Sequence, residues 1–268
     1  MHGSGNGRRD RLGRGGGSRM IDFGGRKELF RVIVGSHNYN MNTPESDKDW
    51  KVFVLPTFDD LYSGKEFSKS YVGETEDLEA HDIRKVSHLW WKANINFVEV
   101  LFTSEGHVNQ KIKPRTKNIL DVIFQHKHEI ARMNLPYLYD ACIGMHLNKK
   151  GQISKGTAGT QHLVDKFGYD TKQAMHSLRV LDFLKRFANN GFTDFKKAIW
   201  YDNYFADRDW FLGLKNGFLT KEKYLEWADA FLREAKGLES VYKEQKPNEE
   251  TKEHLLRLVK DMVREELE

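Results

Sequence analysis

Two apolar runs of strand length, residues 29–34 (LFRVIV) and 50–55 (WKVFVL), stand close together in the chain. Between them lie Gly35-Ser36 and the acidic pair of Asp47-Lys48-Asp49, and Pro56 closes the second run. Runs this short, bounded by turn formers and a proline, suit neighbouring strands of a buried sheet better than helices. Alternate side chains of a strand face the same way, so Asp47 and Asp49 project together from the start of the second strand. Two such carboxylates repel unless a cation joins them, which makes this stretch a constraint on chemistry as well as on fold.

Hard oxygen ligands in that pattern suit Mg²⁺ or Mn²⁺, since Mg²⁺ is typically held by one or two carboxylates completed by water and substrate phosphates. The Gly35-Ser36 bend supplies a complementary half. Glycine permits a close approach that a Cβ forbids, and the Ser36 hydroxyl and adjacent amides can donate to phosphate oxygens. The ten residues between Ser36 and Asp47 leave room for a turn and a short helix. The pattern therefore predicts a phosphate cradle facing a metal clamp across neighbouring strands.

At these residues the chain resembles the DNA polymerase β superfamily of nucleotidyltransferases, whose signature is Gly-Ser, about ten residues, then Asp-x-Asp or Asp-x-Glu on a strand. Gly35-Ser36-x-x-Tyr39, followed by Thr43-Pro44-x-Ser46-Asp47-x-Asp49, looks like a bacterial and phage branch of predicted nucleotidyltransferases partly associated with RNA repair. Later matches are the run from Asp77 to Lys85, the run from Asn94 to Glu99, and Gly168-Tyr169-x-x-Lys172-x-x-x-His176-x-x-Arg179. The chain departs from the branch in carrying Asn40 where glycine is usual and Asn94-Ile95 where Asn-Pro is usual. Asparagine tolerates the left-handed region better than most residues, so the first departure is mild.

The resemblance implies an NTP substrate, ATP among the candidates, and transfer of a nucleoside monophosphate to an acceptor hydroxyl with release of pyrophosphate. It favours an RNA or DNA end as acceptor, with a protein hydroxyl as the second enzyme reading and a decayed nucleotide-binding regulator as the reading from another class. It places Asp47, Asp49 and a third carboxylate, Asp77, as metal ligands and catalytic groups. Glu79, two residues on and facing the same way, is the alternative third acid. Three acids are asked for because two metals about 3.5–4 Å apart clamp the attacking and leaving oxygens of an in-line displacement. Gly35, Ser36, Lys85, Lys172, His176 and Arg179 are the expected nucleotide-binding residues. The last three fall at i, i+4 and i+7 of a helical pattern and share a face, which reads either as a solvated stripe or as a phosphate or nucleic-acid contact.

Charge is uneven along the chain. Of 43 basic and 39 acidic residues, the first 20 hold five Arg and one Asp, which leaves 38 of each in the remainder. The net +4 therefore belongs to the leading segment, and the body carries no overall basic signal for nucleic acid. Residues 1–20 include seven Gly and little that is apolar, so disorder is expected. They read as an artificial leader or a start misassigned upstream of Met20, with a nucleic-acid-binding arm as the functional alternative. They have no apolar core like that of a signal peptide, and no apolar run of about 18 residues occurs anywhere. The single Cys142 rules out an internal disulfide and fits a reducing cytoplasm.

The expected architecture is α+β, with a small mixed-sheet domain with flanking helices over residues 21–112 and a mainly helical domain over 113–268. Residues 57–70 read as a surface loop and 71–81 as a third strand. Asp82 stands before a helical pattern and reads as its N-cap. Glu99, inside an apolar run that is strand or helix, needs a structural partner more than a catalytic role. Asp170 is expected to cap the helix carrying Lys172, and residues 247–250 to open a final amphipathic helix. The KGTAGT stretch lacks the Gly-Lys-Ser/Thr ending of a phosphate loop and reads as a connection.

Overall fold

The computed structural model describes residues 9–11, 21–73, 75–203 and 206–268. They form six strands and thirteen helices: β1 (Arg9–Arg11), β2 (Glu28–Val34), β3 (Lys48–Val54), α1 (Phe58–Ser63), β4 (Ser68–Val72), β5 (Glu76–Asp82), α2 (Lys85–Trp91), α3 (Ile95–Val98), β6 (Gly106–Val108), α4 (Pro114–Gln125), α5 (Lys127–Arg132), α6 (Leu135–Gln152), α7 (Gln161–Phe167), α8 (Thr171–Asn189), α9 (Phe195–Ile199), α10 (Ala206–Lys215), α11 (Lys221–Lys236), α12 (Glu239–Lys243) and α13 (Glu249–Leu267). The class is α+β. One mixed sheet has the order β1-β4-β5-β3-β2-β6, with β3 and β5 parallel and β2 antiparallel to β3.

The chain divides into two compact units, one of residues 1–91, 96–130 and 249–268, the other of 92–95 and 131–248. The expected boundary after residue 112 is thus displaced, and α4 and α13 belong with the sheet. The reason is packing. Phe30 and Phe53 stack at 4.7 Å on one face of the sheet, and Phe124 of α4 meets Phe30 edge-on at 5.6 Å. Next, α13 lies against α4 with Leu255, Val259, Met262 and Val263 buried. Its Glu266 carboxylate accepts from Lys27 Nζ at 2.7 Å and from the Lys113 amide at 2.6 Å. The other sheet face carries a core of Phe23, Ile33, Trp50, Val52, Val54, Tyr71, Leu78 and Ala80.

The expected loop at 57–70 instead contains α1. Thr57 and Asp60 cap each other reciprocally, and Gly64, at φ 65°, closes the helix in the left-handed region. Arg26 grips the Asp60 carboxylate through Nε at 2.8 Å and a terminal nitrogen at 2.6 Å. The expected third strand is two, β4 and β5, paired antiparallel. The disorder expected of residues 1–20 lies outside the described residues except at 9–11, where a strand pairs parallel with β4. Pairing there is through main-chain groups that an edge strand offers to any extended segment, so composition does not forbid it.

The second unit is built around α8, against which α6, α9, α10 and α11 pack. Asp170 caps α8 by accepting from the Gln173 amide at 2.9 Å, as its position suggests. The buried face contains Met175, Leu178, Leu181 and Phe183. Polar links thread this apolar interior: Ser177 Oγ meets Tyr224 Oη at 2.7 Å, and Tyr242 Oη donates to the Leu184 carbonyl at 2.7 Å. Burial pushes the Cys142 thiol up, which leaves it an inert core residue.

Candidate active site

The central pair of strands brings the two halves of the sequence motif to one place. In the β2–β3 register Val34 stands opposite Asp49, so the chain leaves β2 into Gly35 beside the Asp49 side chain. Gly35 has φ 68°, and a Cβ there would come within 2.7 Å of Asp49 Oδ2. Glycine is therefore demanded twice, by the left-handed backbone and by the carboxylate packed against it. Residue 40 likewise takes φ 58°, the conformation for which asparagine is the tolerated substitute for glycine. The stretch after Ser36 is turn and irregular chain; the short helix that its length would permit does not form.

Strand β5 carries Asp77, the residue expected as third acid. Asp49 is the Cα partner of Asp77 in the parallel β3–β5 pairing, so the two side chains share a sheet face at the same level. Asp77 Oδ1 accepts from the Gly73 amide at 3.3 Å, which ties it to the residue that follows β4. Asp47 precedes β3 and is exposed, while Asp49 and Asp77 are half-buried. Among the described residues no three His, Cys, Asp or Glu side chains are gathered closely enough to hold a metal, so Asp47, Asp49 and Asp77 do not form a closed cage.

Glu79 has a different job. Its register partner is Lys51, whose ammonium lies 3.0 Å from its carboxylate, and His81 Nε2 lies 3.6 Å away. The His81 ring and then Lys51 hold Glu79 down to about 2. His81 itself is held below its ordinary value, by burial first. Lys51 is 7% exposed and lies 5.0 Å from the Phe97 ring centroid. A carboxylate already neutralised by a buried lysine is a poor metal ligand, which separates Glu79 from Asp77 on geometry.

Lys85 is not brought to the acidic end. Asp77 is the second residue of β5 and Lys85 follows its close, with about 16 Å of strand between Asp77 and Asp82. Both aspartates sit at the N-terminal ends of parallel strands, whereas α2 starts beyond the C-terminal end. At that end Asp82, fully buried, accepts from the Arg84 amide at 2.9 Å and from its guanidinium at 2.6 Å, so it shapes the helix entrance and is no ligand.

In the second unit Lys172, His176 and Arg179 do share one face of α8, but they differ in environment. Lys172 is exposed and Arg179 is only 6% exposed. Burial first, then Arg179, Lys149, Lys172 and Lys215, hold the His176 imidazole well below its ordinary value, so at neutral pH it is uncharged. Lys149 of α6 reaches this face, its ammonium donating to Gln173 Oε1 at 3.0 Å. No sequence motif marked Lys149.

Glu99, expected to need a partner, has several. It lies in a 3₁₀ turn (Glu99–Phe102), is 2% exposed, and accepts from the Gly35 amide at 3.1 Å and from Asn38 Nδ2 at 3.2 Å. Asn38 Nδ2 also donates to the Glu99 carbonyl at 3.1 Å. The signal in the sequence was an acid inside an apolar run; the identity of its partners, some 60 residues upstream, was not visible there.

No protein-family model matches the chain, and no curated protein matches it. Among solved structures, the chain is similar to the crystal structure of a nucleotidyltransferase-like protein from Exiguobacterium sibiricum 255-15. The alignment covers 90% of this chain and 70% of that one, at 12% identity and a TM-score of 0.27. A score that low leaves the fold and the site to stand on their own geometry.

Proposed function

We propose that this chain is a divalent-metal-dependent nucleotidyltransferase that moves a nucleoside monophosphate from an NTP to an acceptor hydroxyl, releasing pyrophosphate. The observation that carries the reading is the alignment of Asp49 with Asp77 on adjacent parallel strands, with the Gly35 backbone held against the Asp49 carboxylate. The donor set is hard oxygen throughout, which fits Mg²⁺ or Mn²⁺. Asp47, Asp49 and Asp77 would hold the metal, which when bound neutralises charge building on the transferred phosphate.

The remaining work falls to side chains and backbone of this chain. Ser36 Oγ and the amides of its turn donate to the triphosphate, positioning it with little covalent chemistry required of the protein. Asp77 accepts the proton of the attacking hydroxyl, a role open to it because its register partner is another acid and not a lysine. Lys51, Glu79 and His81 form the floor beneath the acids. Lys172, with neutral His176 and buried Arg179, is the proposed phosphate or nucleic-acid contact of the helical unit.

A nucleic-acid end is the favoured acceptor through the resemblance to the RNA-repair branch, and a protein hydroxyl is the second choice. Salt discriminates between them, because phosphate contacts make affinity fall steeply with ionic strength. The reading is tested by incubating the protein with each labelled NTP, Mg²⁺ or Mn²⁺ and a panel of RNA, DNA, protein and small-molecule acceptors. Transfer lost in Asp49→Ala and Asp77→Ala is expected. Transfer unchanged in both ends the proposal, and nucleotide binding without transfer to any acceptor favours the regulatory reading.

A further inference from the structure

The phosphate-facing turn is short, and most of its main-chain groups are committed internally. The Tyr39 amide donates to the Gly35 carbonyl at 3.1 Å and the Met41 amide to the Ser36 carbonyl at 2.8 Å. The Gly35 amide is taken by Glu99. The amides of Ser36 and His37 donate to no protein group among the described residues, and neither does the Ser36 hydroxyl. His37 Nε2 is buried and makes no hydrogen bond there either. Buried or half-buried donors left open together call for an explanation, and consecutive open amides form an anion-binding concavity.

We infer that Glu99 is the positioning residue of this site: its buried carboxylate clamps Gly35 and Asn38 so that the Ser36 and His37 amides and the Ser36 hydroxyl face the phosphate chain of the nucleotide. A carboxylate suits the task because it only accepts, and both groups that reach it donate. It takes the Gly35 amide and leaves those of Ser36 and His37 to the phosphate. The inference rests on the transferase reading only for the identity of the anion; the clamp itself is a property of the unliganded protein.

Glu99→Leu is the decisive variant. The Gly35 amide and Asn38 Nδ2 converge on the one oxygen Oε2, so leucine removes the acceptor of both at similar volume, whereas Glu99→Gln can keep an amide oxygen at that place. Two measurements separate the clamp from the function: hydrogen exchange of residues 36–41 in the unliganded protein, and calorimetric binding of Mg²⁺ with inorganic tripolyphosphate and with each NTP. Exchange at least about tenfold faster and affinity about tenfold weaker are expected, with kcat at saturating NTP changed much less than KM. Glu99→Gln, which keeps an acceptor for both donors, is expected to stay close to wild type in both measurements. Should Glu99→Leu fail to fold, Asn38→Ala, which removes only the side-chain half of the clamp, is expected to show the same two changes in smaller measure. Wild-type exchange and affinity in Glu99→Leu overturn the inference, as does a folded Glu99→Gln as impaired as Glu99→Leu. A wild-type protein that binds no triphosphate sinks the transferase reading, while the exchange data still decide whether Glu99 holds the turn.

Discussion

Two adjacent levels of the same strand pair answer the same electrostatic problem in opposite ways. At one level Asp49 faces Asp77; two residues on, Lys51 faces Glu79 at 3.0 Å. Both pairs lie on one sheet face and are separated by one repeat of the strand. The upper pair is like-charged, while the lower pair neutralises itself. The difference teaches that a site proposed to take a metal brings like charges level where the framework beside it pairs opposite ones. The floor also stiffens the site, since a buried lysine between Glu79 and the Phe97 ring has little freedom to reach upward and close the acidic pair.

The comparison is broken most severely at the upper level. Asp49→Ala is expected to lower nucleotidyl transfer at least about a thousandfold, about 4 kcal/mol of barrier, with a far smaller change in thermal stability. Initial rates of labelled NMP incorporation and a melting curve read the two effects. A variant that melts far below wild type would mean that Asp49 is a structural pair member after all.

Gly35→Ala is expected to cost about 1–3 kcal/mol of stability, since residue 35 needs a positive φ and the added carbon meets Asp49 Oδ2. Glu79→Ala attacks the lower level. It strands a lysine that is 7% exposed, and is expected to destabilise by about 2 kcal/mol, less than for a fully buried pair because Glu79 itself is 51% exposed. Denaturant unfolding measures both. Loss of transfer in Glu79→Ala as deep as in Asp77→Ala would exchange their roles.

The pH response sharpens the same contrast. Glu79 is held down to about 2 in the fold against an ordinary value of 4.5, so the folded state favours its charged form. Its contribution is fully present above about pH 4.5 and fades as pH falls towards 2. The stability gap between wild type and Glu79→Gln is therefore expected to narrow through that window and vanish at its acid end. The smallest effect is ionic. Mg²⁺ at ten times its Kd is expected to stabilise wild type by about 1.4 kcal/mol, and Asp49→Ala not at all, as read by thermal shift.

Much of this was legible in the chain. Periodicity identified β2 and β3, the helical remainder and the α8 cap, and the spacing of Gly35-Ser36 from Asp47 and Asp49 located the acidic turn, because each is a local property of consecutive residues. Legibility failed where partners are remote. Residues 71–81 read as one strand, whereas β4 ends at Val72 and β5 begins at Glu76, a pairing set by register across the sheet. The loop at 57–70 concealed the reciprocal cap of Thr57 and Asp60, and Lys85 looked close to Asp77 in sequence while lying past the other end of β5.

By itself the sequence determined which segments extend, which coil, and which residues cannot be replaced without strain, since strand alternation, helical period and the needs of glycine act over a few neighbouring residues. Only the tertiary structure decided that Asp77 and not Glu79 stands level with Asp49, that Glu99 reaches back to Gly35 and Asn38, and that the last helix joins the sheet. Those are matters of register and packing, set by which distant groups meet when apolar faces close, and nothing in the spacing along the chain encodes them one residue at a time.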